Sequence, residues 1–186
     1  RDWSSDVCSS DLQAICSGNT ITPILQSGAV TGTVFNWTRD NLVNVTGIPA
    51  SGTGTISGSL VNGTALPQLV NFTVTPQANG CTGANAVATV LVNPRPSGLL
   101  SSSTTIICQG STVLLTATGG NSYQWYLDGQ PIAGATGATY NASQPGVYTA
   151  QLISTAGCTN MASNSITLTL ITKPAAEFRS EEHTSE

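Results

Sequence analysis

One order of short signals runs through this chain twice, and that repetition constrains the fold more than any single motif. ICSGNT at Ile15–Thr20 is answered by ICQGST at Ile107–Thr112. Each is followed by a segment with a single tryptophan, TVFNWT around Trp37 and SYQWYL around Trp125. A segment led by an aromatic comes next, NFTVTP at Phe72 and VYTAQL at Tyr148. Both run into Gly-Cys-Thr, at Gly80–Thr82 and Gly157–Thr159. An alternating segment closes each copy, AVATVLVNP and SITLTLITKP, and its proline, with no N–H to donate, marks the exit from a sheet. Complete repetition of a plan favours tandem units over two interleaved halves of one domain. The break falls at Asn93-Pro94-Arg95-Pro96-Ser97-Gly98, a short and stiff Pro-rich hinge. The expected modules are residues 13–96 and 97–176.

The segments between turns alternate apolar and polar residues with a period of two, the mark of half-buried strands. Thr, Ser, Gly, Asn, Val and Ala are plentiful while Glu, Lys, Leu and Met are scarce, which favours strands and turns over helices. In the second copy, STVLLTAT puts Val113, Leu115 and Ala117 on one face. Asn121 to Leu127 is the tryptophan strand, Asp128-Gly129 a two-residue hairpin turn, and Gln130 to Ala133 the return. Ala138 to Asn141 and Val147 to Ile153 follow, the latter paired through Ser154–Gly157 with the final strand. The fold class is all-β, two tandem β-sandwich modules. Asn41 to Pro67 of the first copy is longer and glycine-rich, and its middle strands cannot be assigned.

The two ends are of a different character. RDWSSDVCSSDL and RSEEHTSE hold most of the carboxylates and the single histidine, His183. The DNA string AGATCGGAAGAGCACACGTCTGAA encodes RSEEHTSE, and its reverse complement, read one base in, encodes SDVCSSDL. The ends therefore resemble translated sequencing-adapter DNA, and residues 1–12 and 179–186 are expected not to be native. Cys8, Trp3 and His183 leave the list of candidate functional residues with them, and the chain reads as a piece of a longer protein.

From Gln13 to Phe178, Arg39, Arg95 and Lys173 balance Asp40, Asp128 and Glu177, so the net charge of −4 belongs to the ends. A neutral segment with scattered cations argues against nucleic acid or an anionic membrane as a partner. No apolar run approaches the ~20 residues of a membrane span. The four remaining cysteines, Cys16, Cys81, Cys108 and Cys158, favour disulfides and an oxidising compartment. Without CxxC spacing or histidine, a zinc site is disfavoured.

SYQWYLDGQPIAGAT with YNASQPGVYTAQ resembles an immunoglobulin-like module. Trp125 stands where that family buries a strand-C tryptophan, and Gly146-x-Tyr148 resembles its tyrosine corner. Ala117 and Ala150 occupy the places of its inter-sheet cysteines, so Trp125 is expected to pack on small apolar groups. The first copy, through NWT, GTGTISGSL and FTVTPQANGCTG, resembles the PKD-like variant. The whole of Ile15 to Pro174 resembles tandem PKD-like and Ig-like repeats of large secreted surface proteins of Bacteroidetes-type bacteria. That resemblance implies an extracellular or cell-surface location and a core containing Trp37, Phe72, Trp125 and Tyr148.

By parity, Cys16 pairs with Cys81 and Cys108 with Cys158, each bridge closing a loop worth about 4 kcal/mol. Immunoglobulin topology opposes this by placing the two cysteines of a module at opposite ends of the sandwich, beyond the ~7 Å reach of a disulfide. A bridge from Cys16 of one unit to Cys158 of the next, or free thiols, are the other arrangements open.

No catalytic, cofactor or metal site is expected. General acid–base and nucleophilic chemistry call for a histidine or a tuned carboxylate pair. Asp40 and Asp128 lie in different modules, Asp128 serves its turn, and calcium would want converging carboxylates. Arg39-Asp40 reads as a solvated turn. Gly52–Gly58 lacks the lysine of a phosphate loop and reads as strand and turn. The sequons at Asn36 and Asn71 are expected by composition alone, and Trp37 and Trp125 read as core rather than as glycan platforms. The first functional expectation is a non-catalytic spacer or adhesion repeat whose partners are neighbouring repeats of the same chain. The second is a module binding a surface glycan or protein through its loops, for which Tyr126 and Tyr140 are the only aromatic candidates.

Overall fold

The computed structural model describes residues 12–28 and 30–174. Both expected adapter-derived ends therefore lie outside the described residues, save for Leu12, which is exposed. The chain divides into two units, Arg1–Arg95 with Ser154–Cys158 and Pro96–Ile153 with Thr159–Glu186. Every described regular element is a β-strand, and among the described residues no helix is long and apolar enough to cross a membrane.

The first unit contains β1 (Gln13–Cys16), β2 (Val34–Arg39), β3 (Val45–Gly47), β4 (Ser51–Thr53), β5 (Leu60–Asn62), β6 (Gln68–Ala78), β7 (Cys81–Thr82) and β8 (Ala86–Asn93). One sheet runs β1-β8-β6-β2-β4, with β7 also on β6, and a small sheet pairs β3 with β5. The region that sequence left unassigned, Asn41 to Pro67, thus supplies β3, β4 and β5. Strand β6 alternates over 11 residues, and its inward Val70, Phe72 and Val74 are fully buried. Trp37 meets Phe72 edge-on, centroids 6.0 Å apart, a geometry that sets ring edge against ring face. Asn79-Gly80, both at positive φ (52° and 78°), close the β6–β7 hairpin as a primed turn. Gly52 of β4 lies across from Trp37 in register, and any Cβ there would run into the indole ring. A side chain is missing at the point where an aromatic has to lie flat.

The second unit contains β9 (Leu100–Ser102), β10 (Ile106–Cys108), β11 (Val113–Ala117), β12 (Ser122–Leu127), β13 (Gln130–Pro131), β14 (Thr139–Ala142), β15 (Gly146–Ile153), β16 (Thr159–Met161) and β17 (Ile166–Ile171). One sheet runs β10-β17-β15-β12-β13 with β16 also on β15; the other is β14-β11-β9. Val113, Leu115 and Ala117 face inward as the alternation predicts. Asp128 and Gly129 turn at φ 49° and 80°, and Asp128 Oδ1 accepts from the Val147 amide at 2.8 Å. The hairpin after β15 leads into β16 rather than directly into the final strand, which pairs instead with the first half of β15.

Trp125 is fully buried, registered with Ala150 on β15 and clustered with Ala117. Its Nε1 donates to the Gly137 carbonyl at 2.9 Å. The Tyr148 hydroxyl donates to the Gln144 carbonyl at 2.8 Å, tying the strand to the turn four residues upstream. Burial raises that phenol above its ordinary acidity range. Architecture and paired aromatics together make each unit an immunoglobulin-like β-sandwich.

Gly52→Ala should destabilise the first unit by about 1–3 kcal/mol, the usual cost of overpacking. Gly63→Ala, whose new Cβ would meet only the Asn44 carbonyl at 3.6 Å, should change stability little. Urea denaturation followed by tryptophan fluorescence compares the two; equal midpoints would show that the indole can move aside.

Candidate functional site

The aromatic residues that sequence placed in the core are there. Phe72 and Trp125 are fully buried, Tyr148 is 1% exposed and Trp37 is 7% exposed. Of the two candidate loop aromatics, Tyr140 proves to be part of the interior edge. Its ring lies 6.1 Å from Trp125 and 6.0 Å from Tyr148, so it braces those two rings. Tyr126 is half-buried on β12, within the tryptophan strand expected from the sequence. Among the described residues, no group of three or more His, Cys, Asp or Glu side chains is placed to hold a metal ion.

Arg39 corrects one expectation. It is the last residue of β2, on the same face as Trp37, and only 8% exposed, so it is not part of a solvated turn. One guanidinium nitrogen donates to the Val45 carbonyl at 3.0 Å, while Nε and Nη1 find no protein acceptor. Burial lowers its pKa, partly opposed by Asp40 next to it. Asp40 is exposed and accepts from the Asn71 amide and side chain, each at 2.8 Å. The signal was present in the sequence: Arg39 is two residues from a core tryptophan, and period-two alternation puts both on one face.

The cysteines give the second correction. The bridge joins Cys16 to Cys158, 142 positions apart in sequence, with Cα atoms 5.5 Å apart. Both belong to the first unit. Cys81 and Cys108 are free and exposed. The pairings Cys16–Cys81 and Cys108–Cys158 are therefore not formed, and topology supplies the reason. Strand β1 runs parallel to β8, with Cys16 beside Asn93. Cys81 lies beyond the other end of β8, whose eight residues at about 3.3 Å each put ~25 Å between them. The same arrangement recurs with β10 parallel to β17, Cys108 beside Ile171, and the turn after β15 a strand-length away. In both copies, the distance exceeds what a disulfide can span several times over.

The bridged turn is well tied down. Ser154 N donates to the Cys158 carbonyl at 2.9 Å, and Cys158 N donates to Ser154 Oγ at 3.2 Å. Ser17, next to Cys16, exchanges hydrogen bonds with Asn62, and its carbonyl accepts from Arg95 Nε at 2.8 Å. Cys158 is completely buried, whereas Cys81, at the matching position after β6, opens onto the surface.

Beside Cys81 the first unit has a half-open cleft of about 570 Å³. Gly28, Val30, Phe35, Pro76 and Gln77 are among the residues that line it; it is mainly apolar, and among the described residues the Cys81 thiol is its one ionisable group. Such a cleft can hold an apolar segment or side chain.

Residues 13–96 match the model of the PKD-like domain. No curated protein sequence matches the chain. Among solved structures, the N-terminal eight Ig domains of Down Syndrome Cell Adhesion Molecule isoform 1.30.30 align with a TM-score of 0.51 at 16% identity. That alignment covers 89% of this chain and 24% of that one, so this chain spans about a quarter of it. Murine CEACAM1b aligns at 18% identity and TM-score 0.39, over 85% of this chain and 96% of that chain. The full ectodomain (Ig1–Ig3) of mouse nectin-like molecule 4 aligns at 18% identity and TM-score 0.35, over 93% and 66%. At 16% identity the likeness to the eight-domain structure establishes an Ig-like fold alone.

Alkylation of the denatured, unreduced protein should label Cys81 and Cys108 and spare Cys16 and Cys158. A non-reduced digest should release a Cys16–Cys158 peptide. Recovery of a Cys16–Cys81 or Cys108–Cys158 peptide would overturn the connectivity.

Proposed function

We propose that the chain is a non-catalytic spacer or adhesion repeat from a larger extracellular or cell-surface protein of the Bacteroidetes type. In this reading its modules are residues 13–96 and 97–176, and its partners are neighbouring repeats of the same chain. The observation that carries it is where the distinctive residues go. Trp37, Phe72, Trp125 and Tyr148 are all spent on two separate hydrophobic cores. Two of the carboxylates hold backbone in place, Asp128 accepting from the Val147 amide and Asp40 from the Asn71 amide. A disulfide together with small β-modules supports an oxidising, extracytoplasmic setting. The near-neutral body supports partners other than nucleic acid.

A binding role for a surface glycan or protein is the second reading, and the cleft beside Phe35 is the observation that favours it. Replacing residues 13–174 in the parent protein by an unrelated pair of Ig-like sandwiches separates the two. A spacer tolerates the exchange but not deletion. Loss of adhesion on exchange, with saturable binding of the isolated chain on a glycan array, would replace the spacer reading with the binding one.

A further inference from the structure

The repeat assigns each cysteine to one of two positions. Cys16 and Cys108 both end a strand that lies parallel to the last strand of its copy. Cys81 and Cys158 both follow a glycine at positive φ (78° and 76°) in the hairpin after the aromatic-led strand. The bridge that forms joins the strand-end position of the first copy to the turn position of the second. Cys81 and Cys108 are what this rule leaves over, a turn cysteine from the first copy and a strand-end cysteine from the second, both exposed.

We propose that Cys81 and Cys108 are the two open ends of a disulfide ladder between successive modules. Under this rule the strand-end cysteine of one module bonds the turn cysteine of the next. Cys108 takes the turn cysteine of a following module of the same plan, and Cys81 takes the strand-end cysteine of a preceding one. The surroundings of both thiols fit this occupant. The turn position is fully buried where it is bonded, at Cys158, and open where it is not, at Cys81. The apolar cleft adjoins Cys81 and is suited to the Ile-Cys segment that carries a strand-end cysteine. Cys108 sits between exposed Ile106 on its own strand and exposed Ile171 opposite in register, an apolar margin on the other half of the joint.

The bond needs a disulfide oxidant such as oxidised glutathione. The Cys81 thiolate attacks it, forming a mixed disulfide and releasing one glutathione thiol. The strand-end thiolate then attacks the Cys81 sulfur, forming the Sγ–Sγ bond and expelling the second glutathione. Two protein thiols are oxidised, one small disulfide is reduced to two thiols, and both protons go to the leaving thiolates or solvent.

This proposal rests on the repeat-spacer reading but is tested separately. Two copies of the full chain carrying Cys8→Ser are fused head to tail, which raises the effective concentration of one thiol near the other to the millimolar range. The fusion is folded in a glutathione redox buffer. We expect a Cys16–Cys158 bridge within each copy and one further bridge, from Cys108 of the first copy to Cys81 of the second. Free thiols should then number two per fusion instead of the four that two independent copies would show. Cys81→Ser in the second copy alone should restore four minus the lost residue, while the same change in the first copy should leave the new bridge intact. Alkylation of Cys108 and Cys81 at every site, or a symmetric Cys108–Cys108 bond, would overturn the ladder while leaving the spacer reading untouched. Absence of Cys16–Cys158 itself would remove its basis. Loss of the spacer reading in the exchange experiment would leave the mapped bridges unchanged.

Discussion

Full burial of alternate side chains along one central strand is what the rest of each unit is arranged around. In the first unit that strand is β6, with Val70, Phe72 and Val74 inward; in the second it is β15, with Tyr148, Ala150 and Leu152 inward. Full burial of a Val, Leu or Phe side chain contributes roughly 1.5–3 kcal/mol, so a register slip of one residue would forfeit the set at once. Partners are therefore locked on both edges, β8 and β2 on β6, β17 and β12 on β15. The outward residues of β6 show the complementary pattern: Asn71 accepts from Thr89 at 3.0 Å and donates to Asp40.

The two units handle a buried tryptophan differently. Trp125 has an acceptor for its Nε1 and small alanines where a related sandwich would hold sulfur. Trp37 finds no protein acceptor and lies against a glycine backbone, while Arg39, two residues on, leaves Nε and Nη1 unmatched. Unmatched buried donors commonly cost about 1–3 kcal/mol each, so the first interior is the less well satisfied. Its longer, glycine-rich middle segment supplies close backbone approach in place of side-chain volume.

Much of this was legible in the chain because local chemistry agrees with the fold. Period-two alternation located β11 and β15, Asp128-Gly129 located its hairpin, and the likeness of Gly146-x-Tyr148 to a tyrosine corner marked a residue whose hydroxyl the structure ties to Gln144. What escaped has a non-local cause. Disulfide partners depend on which strand ends meet, and parallel placement of β1 on β8 leaves no trace in composition or spacing. Arg39 escaped because a charged residue beside an aspartate suggests a turn, although its position in the alternation already placed it inside. Tyr140, a candidate for ligand contact, packs instead against Trp125 and Tyr148, a ring contact that its short strand does not announce in the sequence.

The Cys16–Cys158 bond also changes how the chain would bear a load. A pull applied at the two ends passes across the sulfur bond and bypasses the chain between its cysteines, which stand 142 positions apart. At about 3.5 Å per extended residue, roughly 500 Å of slack is withheld from stretching. Only β1, upstream of Cys16, and β16 and β17, downstream of Cys158, remain in the path of the force. Strand β17 is gripped by β15 on one side and β10 on the other. Mechanical failure is therefore confined to short terminal strands, and a stretched chain would yield by a few nanometres where an unbridged pair of sandwiches would unravel.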